Sequence, residues 1–109
     1  RQELSRADVE RLWHAREVAT AHARSPLSLA ELAREAGINE RKLTAGFRQL
    51  FGMSVFEHLQ QHRLEQAYGL LTSGGCSVTQ VALEVGYSIA HFSTAFRKRF
   101  GIAPSELLR

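Results

Sequence analysis

The chain has a single cysteine, Cys76, among its 109 residues, so an internal disulfide is excluded and a cysteine-based zinc site lacks its ligands. Cys76 is read as structural or incidental, in a reducing compartment. No apolar run approaches the roughly 20 residues needed to cross a bilayer, and Arg1 to Glu10 lacks the apolar h-region of an export signal. The expected location is cytoplasmic, with no membrane partner. There is no paired-carboxylate constellation, no Ser-His-Asp or Cys-His arrangement with supporting context, and no glycine-rich phosphate loop. The chain is therefore not expected to be an enzyme, and no cofactor or metal is implied.

What is present is an ordinary soluble composition with an uneven charge distribution. Apolar residues make up 44% and charged residues 23% of the chain, the range of folded globular proteins. The net charge is +3. Up to Glu35, six arginines are balanced by six carboxylates. After Ala36, eight basic residues (Arg41, Lys42, Arg48, Arg63, Arg97, Lys98, Arg99 and Arg109) face five acidic ones. An anionic partner would meet the later part of the chain.

The chain also matches itself. At an offset of 49, the stretch Leu29 to Gly52 lies over Val78 to Gly101 with seven identities: Ala33/Ala82, Glu35/Glu84, Gly37/Gly86, Phe47/Phe96, Arg48/Arg97, Phe51/Phe100 and Gly52/Gly101. Background composition predicts about one or two, so one supersecondary unit is used twice. In the first copy, Ser28 and Glu31 form a capping box ahead of the stripe Leu29, Leu32, Ala33 and Ala36. Gly37 turns the chain, and Asn39 caps a second helix that buries Leu43, Phe47, Leu50 and Phe51 until Gly52 ends it. In the second copy, Ser77 and Gln80 cap a stripe of Val78, Val81, Ala82 and Val85. Gly86 turns the chain, and Ser88 caps a helix burying Phe92, Phe96 and Phe100. Repeated spacing, a basic tail on each second helix and short polar residues near its start match a helix-turn-helix that enters the major groove of DNA.

The repeat is flanked by one helix and bridged by another. Ser5 and Asp8 box a leading helix whose Val9, Leu12, Trp13, Ala19 and Ala23 pack inward, with Trp13 a core aromatic, and which stops before Ser25-Pro26. Ser54 and Glu57 cap a linker helix that runs to about Leu71. Its Val55, Phe56, Leu59, Leu64, Ala67, Leu70 and Leu71 cover half the circumference, enough to serve both motifs. About 18 residues span about 27 Å, a suitable strut for two reading helices that must sit about 34 Å apart to meet successive grooves. The predicted fold is all-α: two helix-turn-helix subdomains joined by a long linker helix, about seven helices in total. The expected divisions are residues 1–53, 54–73 and 74–109. On the linker, His58 and His62 are expected to be exposed, and Arg63 to form a structural ion pair with Glu35 or Glu84.

With these residues in view, the chain resembles the DNA-binding domain of the AraC/XylS family of bacterial transcription regulators from about Asp8 to Leu108. The likeness rests on the double motif and on Arg63-Leu64 followed by Ala67 and Leu70-Leu71. It extends to Gly86-Tyr87 with His91-Phe92-Ser93, and to Phe96-Arg97-Lys98-Arg99-Phe100-Gly101 with Pro104-Ser105. The runs GINERKLTAGFRQLFG and SVFEHLQQHRL are similar in particular to regulators of siderophore uptake. The resemblance implies sequence-specific binding of double-stranded promoter DNA, activation through RNA polymerase, and a sensing or dimerisation domain N-terminal to this one in the full-length protein. It places Arg41, Lys42, Thr44, Ala45, Ala90, His91 and Thr94 at base edges. Asn39, Arg48, Ser88, Ser93, Arg97 and Lys98 fall on the sugar-phosphate backbone. Between Gly86 and Phe92 the chain is one residue shorter than the family's usual pattern, which leaves the start of the last helix, and the roles of Ile89 and Ala90, open. The competing reading is a helical adaptor that binds protein through the same polar faces.

Overall fold

The computed structural model describes residues 3–108; Arg1 and Arg109, which enter the charge tally above, lie outside the described residues. Six α-helices and one 3-10 turn make up the regular structure of that range, and the chain divides into two compact units, Arg1–Leu59 and Gln60–Arg109.

The first unit contains α1 (Arg6–Ala21), α2 (Leu29–Ala36), α3 (Glu40–Phe51) and the first turn of α4 (Val55–Ser73). Each start is fixed chemically. Ser5, Ser28 and Ser54 accept the backbone N–H of Asp8, Glu31 and Glu57, whose carboxylates accept the serine N–H in return. Asn39 caps α3 by accepting the Lys42 N–H at 2.8 Å. The core joins Leu12, Ala15 and Ala19 of α1 to Leu32, Ala33 and Ala36 of α2, Leu43 and Phe47 of α3, and Val55 and Leu59 of α4. Small residues let the helices approach closely. A Cβ on Gly46 of α3 would stand 2.8 Å from Leu12 Cδ1 and 3.3 Å from Leu4 Cδ2, so a side chain there would have to displace Leu12 where α1 meets α3.

Three expectations fail in this unit. Trp13 is 48% exposed. The buried stripe of α1 runs through Asp8, Leu12, Ala15 and Ala19, and Trp13, one position beyond Leu12, is rotated about 100° off it. Its ring meets Phe51 edge-on at 5.0 Å, and the Arg16 guanidinium lies over both rings, 5.4 and 5.1 Å from their centroids. Phe56 is 68% exposed for the same reason, because Val55 and Leu59 face the core. His58 is also unlike its expectation. It is half-buried, its Nε2 lies 2.8 Å from Thr20 Oγ1, and its ring packs edge-on against Phe47.

The second unit holds the rest of α4, α5 (Val78–Glu84), α6 (Ile89–Phe100) and the 3-10 turn Pro104–Glu106. Its core comprises Leu64, Ala67 and Leu71 of α4 with Val81, Ala82, Val85, Phe92 and Phe96, and Cys76 packs against it. Phe92, Phe96 and Phe100 form a ladder of tilted rings at 5.7 and 4.7 Å, with Tyr68 of α4 alongside. Pro104, at the start of the 3-10 turn, is buried, and that turn contacts α6. No helix of the described residues is long and apolar enough to cross a membrane.

Candidate nucleic-acid interface

The two helix pairs are built on one template. Gly37 adopts φ +72° and Gly86 φ +81°, and the following residue returns its N–H across the end of the preceding helix: Ile38 to Ala33 O at 3.0 Å, Tyr87 to Ala82 O at 2.9 Å. Asn39 and Ser88 then cap α3 and α6, and both helices are 12 residues long. The two turns are equal in length: Ser88 is the N-cap and Ile89 the first residue of α6, at the same offset of 49 as Asn39 and Glu40. Ile89 and Ala90 are both exposed.

Burial of Leu43 and Phe47 in one unit, and of Phe92 and Phe96 in the other, fixes which face each helix turns outward. On α3 the outward stripe is Arg41, Thr44, Ala45 and Arg48, and on α6 it is Ala90, Ser93, Thr94 and Arg97; all eight are exposed. The spacing i, i+3, i+4, i+7 makes each set one continuous strip along its helix. Lys98 is exposed beside the second strip, and an open cleft of about 370 Å³ alongside α6 is lined by Gln60, Tyr87, Ser88, His91, Thr94 and Lys98.

The charges on the two strips are handled differently. Lys42 is drawn inward: its ammonium lies 3.2 Å from Asp8 Oδ2, a carboxylate on α1 that is 5% exposed. The Ser5 backbone N–H and then the Lys42 ammonium hold the Asp8 carboxyl below the usual carboxylate range, against the upward push of burial. Arg48 faces Glu57 at 3.7 Å with both groups exposed, a weak and easily exchanged pair. On α6, Arg99 turns away from the strip, lying 3.3 Å from Glu65 of α4 and over the Phe100 ring. Among the described residues, Arg41, Arg97 and Lys98 make no ion pair. His91, the positional equivalent of Lys42, is tethered through Nδ1 to the Ser88 hydroxyl at 2.8 Å.

Arg63 donates from Nη1 to Gln60 Oε1 at 2.8 Å, and its charge partly offsets the burial that raises the Tyr87 hydroxyl above its ordinary range. The pair between buried Asp8 and half-buried Lys42 is not among the sequence expectations. Asp8 lies on the stripe that continues through Leu12, Ala15 and Ala19, and a carboxylate on an apolar stripe is the signal of a hidden partner.

The helix-turn-helix domain family matches residues 32–109 of this chain. Regulatory protein PchR of Pseudomonas aeruginosa is 52% identical over 101 residues, which is 93% of this chain and 34% of that protein; the chain thus spans about a third of its length. A transcriptional regulator from Chromobacterium violaceum, described as containing an AraC-type DNA-binding domain, superposes with a TM-score of 0.83 at 30% identity, covering 94% of this chain and 93% of that one. The DNA-binding domain of AdpA, solved in complex with a target DNA, superposes with a TM-score of 0.77 at 28% identity over 89% and 88% of the two chains. On these matches and the doubled motif, the chain belongs to the AraC family of transcription regulators and is a helix-turn-helix DNA-binding domain of the AraC type.

Proposed function

We propose that the chain reads double-stranded promoter DNA with α3 and α6 in successive major grooves, as the C-terminal domain of a longer cytoplasmic regulator. The observation that carries this reading is the pair of matched outward strips, each polar, exposed and set opposite a phenylalanine core. A strip of this kind can place side chains at base edges while the helix start and its last turn meet phosphates. In α3 the base-reading group is Arg41, whose planar guanidinium can grip the O6 and N7 of a guanine, with Thr44 and Ala45 suited to smaller contacts such as a thymine methyl. Asn39 and Arg48 flank them on the phosphates. In α6, Ala90, His91 and Thr94 face the bases, and Ser88, Ser93, Arg97 and Lys98 hold the backbone. Lys42 is left out of the base-reading set because its ammonium is committed to Asp8.

The full-length protein carries an N-terminal sensing or dimerisation domain and activates transcription through contacts with RNA polymerase. Footprinting on promoter duplexes tests the DNA reading. Two protected tracts about one helical turn apart on one face of the duplex are expected. A chain that protects nothing and shows no salt-sensitive retention on duplex DNA is a protein-binding adaptor instead.

A further inference from the structure

Lys42 occupies the third position of α3, beside Arg41, and on sequence it looks like a groove contact. Its ammonium instead sits 3.2 Å from the Asp8 carboxylate, in a place where the lysine side chain is 31% and the aspartate side chain 7% exposed. The same oxygen, Oδ2, also accepts the Ser5 N–H at 3.1 Å, closing the capping box of α1. One carboxylate therefore ties the first turn of α1 to the first turn of α3. A carboxylate this buried is costly to leave without its cation, so the pair resists exchange. The surface pair Arg48–Glu57, 3.7 Å apart and open to water on both sides, has no such hold.

We propose that Asp8 is a positioning residue for the first reading helix: by keeping the Lys42 ammonium it anchors the start of α3 on α1 and withdraws that lysine from ionic contact with DNA. This inference rests on the assignment of α3 as a groove-reading helix. Withdrawal has a use. A lysine is a flexible point charge that attracts any phosphate, whereas Arg41, one position earlier, can discriminate a base edge. Holding Lys42 removes indiscriminate attraction at the point where the sequence is read, and fixes the backbone that carries Arg41.

The test is the salt dependence of binding to a random-sequence duplex of about 30 base pairs, longer than two helical turns, for the 109-residue chain and its variants. A lysine that stays on Asp8 displaces no counterion from DNA. K42M should therefore leave the slope of log K against log salt unchanged, whereas a phosphate-bound lysine would remove about 0.9 from it. D8N removes the negative charge that holds the ammonium, while an asparagine oxygen can still accept the Ser5 N–H. The slope should steepen by about 0.9, so that affinity falls about 3.5-fold more than for the unaltered chain between about 50 and 200 mM salt. The double variant D8N/K42M should return to the original slope, a reversal that mere loss of structure would not produce. A loss of about 0.9 in K42M, or an unchanged slope in D8N with intact helix content by circular dichroism, overturns the proposal. If either single variant does not fold, the other decides. A chain without any salt-dependent DNA binding would contradict the DNA reading itself, a separate outcome.

Discussion

The two motifs share a turn, a cap and a phenylalanine core, yet they are supported in different ways. The first lies under α1, which closes on α3 at Gly46 and reaches its single lysine, Lys42, through Asp8. The second has no such helix. Ala95 stands where the first motif has Gly46. The first motif's strip combines Arg41, which makes no ion pair among the described residues, with Arg48 loosely met by Glu57. The second carries Arg97 and Lys98 with no ion pair there. The repeated residues are those that make the fold, and the differing ones set how charge is presented. A rigidly seated helix with few mobile cations suits discrimination; a helix with two uncommitted cations suits attachment to the backbone.

The largest effect should come from the cores. Phe47 and Phe96 are both fully buried, so replacing either by alanine should cost about 3–5 kcal/mol. Hydrogen exchange should show F47A loosening α1–α3 more than α5–α6, and F96A the reverse. Equal loosening in both variants would mean that the cores fail together and that the two regions are one cooperative unit.

Arg41→Ala comes next. It should weaken specific binding by about 1–3 kcal/mol and relax preference at one box, while leaving random duplexes almost unaffected. Lys98→Ala sharpens the contrast: binding should weaken evenly on all sequences and the salt slope fall by about 0.9. Equal behaviour of the two variants in a competition assay would abolish the division of labour.

A smaller test separates the two environments of glycine within helices. Gly46→Ala adds helix propensity but drives a methyl toward fully buried Leu12, so overpacking should prevail by about 1 kcal/mol. Gly69→Ala in α4, where the new Cβ meets nothing within 4 Å, should stabilise by about 0.5–1 kcal/mol. Urea melts of both variants give the sign. A stabilised G46A would show that α1 does not constrain α3.

The gentlest effect is on acid stability. The capping carboxylates of Asp8, Glu31 and Glu57 are all held below their ordinary range, chiefly by the N–H of Ser5, Ser28 and Ser54, and all belong to the first unit. The box that starts α5 uses Gln80, which does not titrate. A lowered folded pKa gives stability that is present above the unfolded value and lost as pH falls through the folded one. The first unit should therefore begin to loosen below about pH 5, through the ordinary carboxylate range near 4, ahead of α5. Residue-resolved exchange that shows α5 opening first would reverse the comparison.

Much of this was readable from sequence because it is local. Serines three residues ahead of Asp8, Glu31, Glu57 and Gln80 announce the helix starts. The offset of 49 carried the second turn correctly onto Ser88. What escaped depends on the width of a buried face and on long-range pairing. Periodicity puts Trp13 and Phe56 near an apolar stripe but does not tell that each stands about 100° from its centre. Nor does any spacing bring Lys42 to Asp8, 34 residues earlier in the chain, or His58 to Thr20, 38 residues earlier. The polar groups on the reading strips were locatable because the core phenylalanines fix the opposite face; the hidden commitment of one of them was not.

The most direct test of the unequal pair is selection of binding sites from random duplexes by the 109-residue chain. Two short boxes about one helical turn apart are predicted, the one assigned to α3 by its loss in R41A being the more strictly specified. Two boxes of equal stringency, or a stricter box that survives R41A, would contradict it.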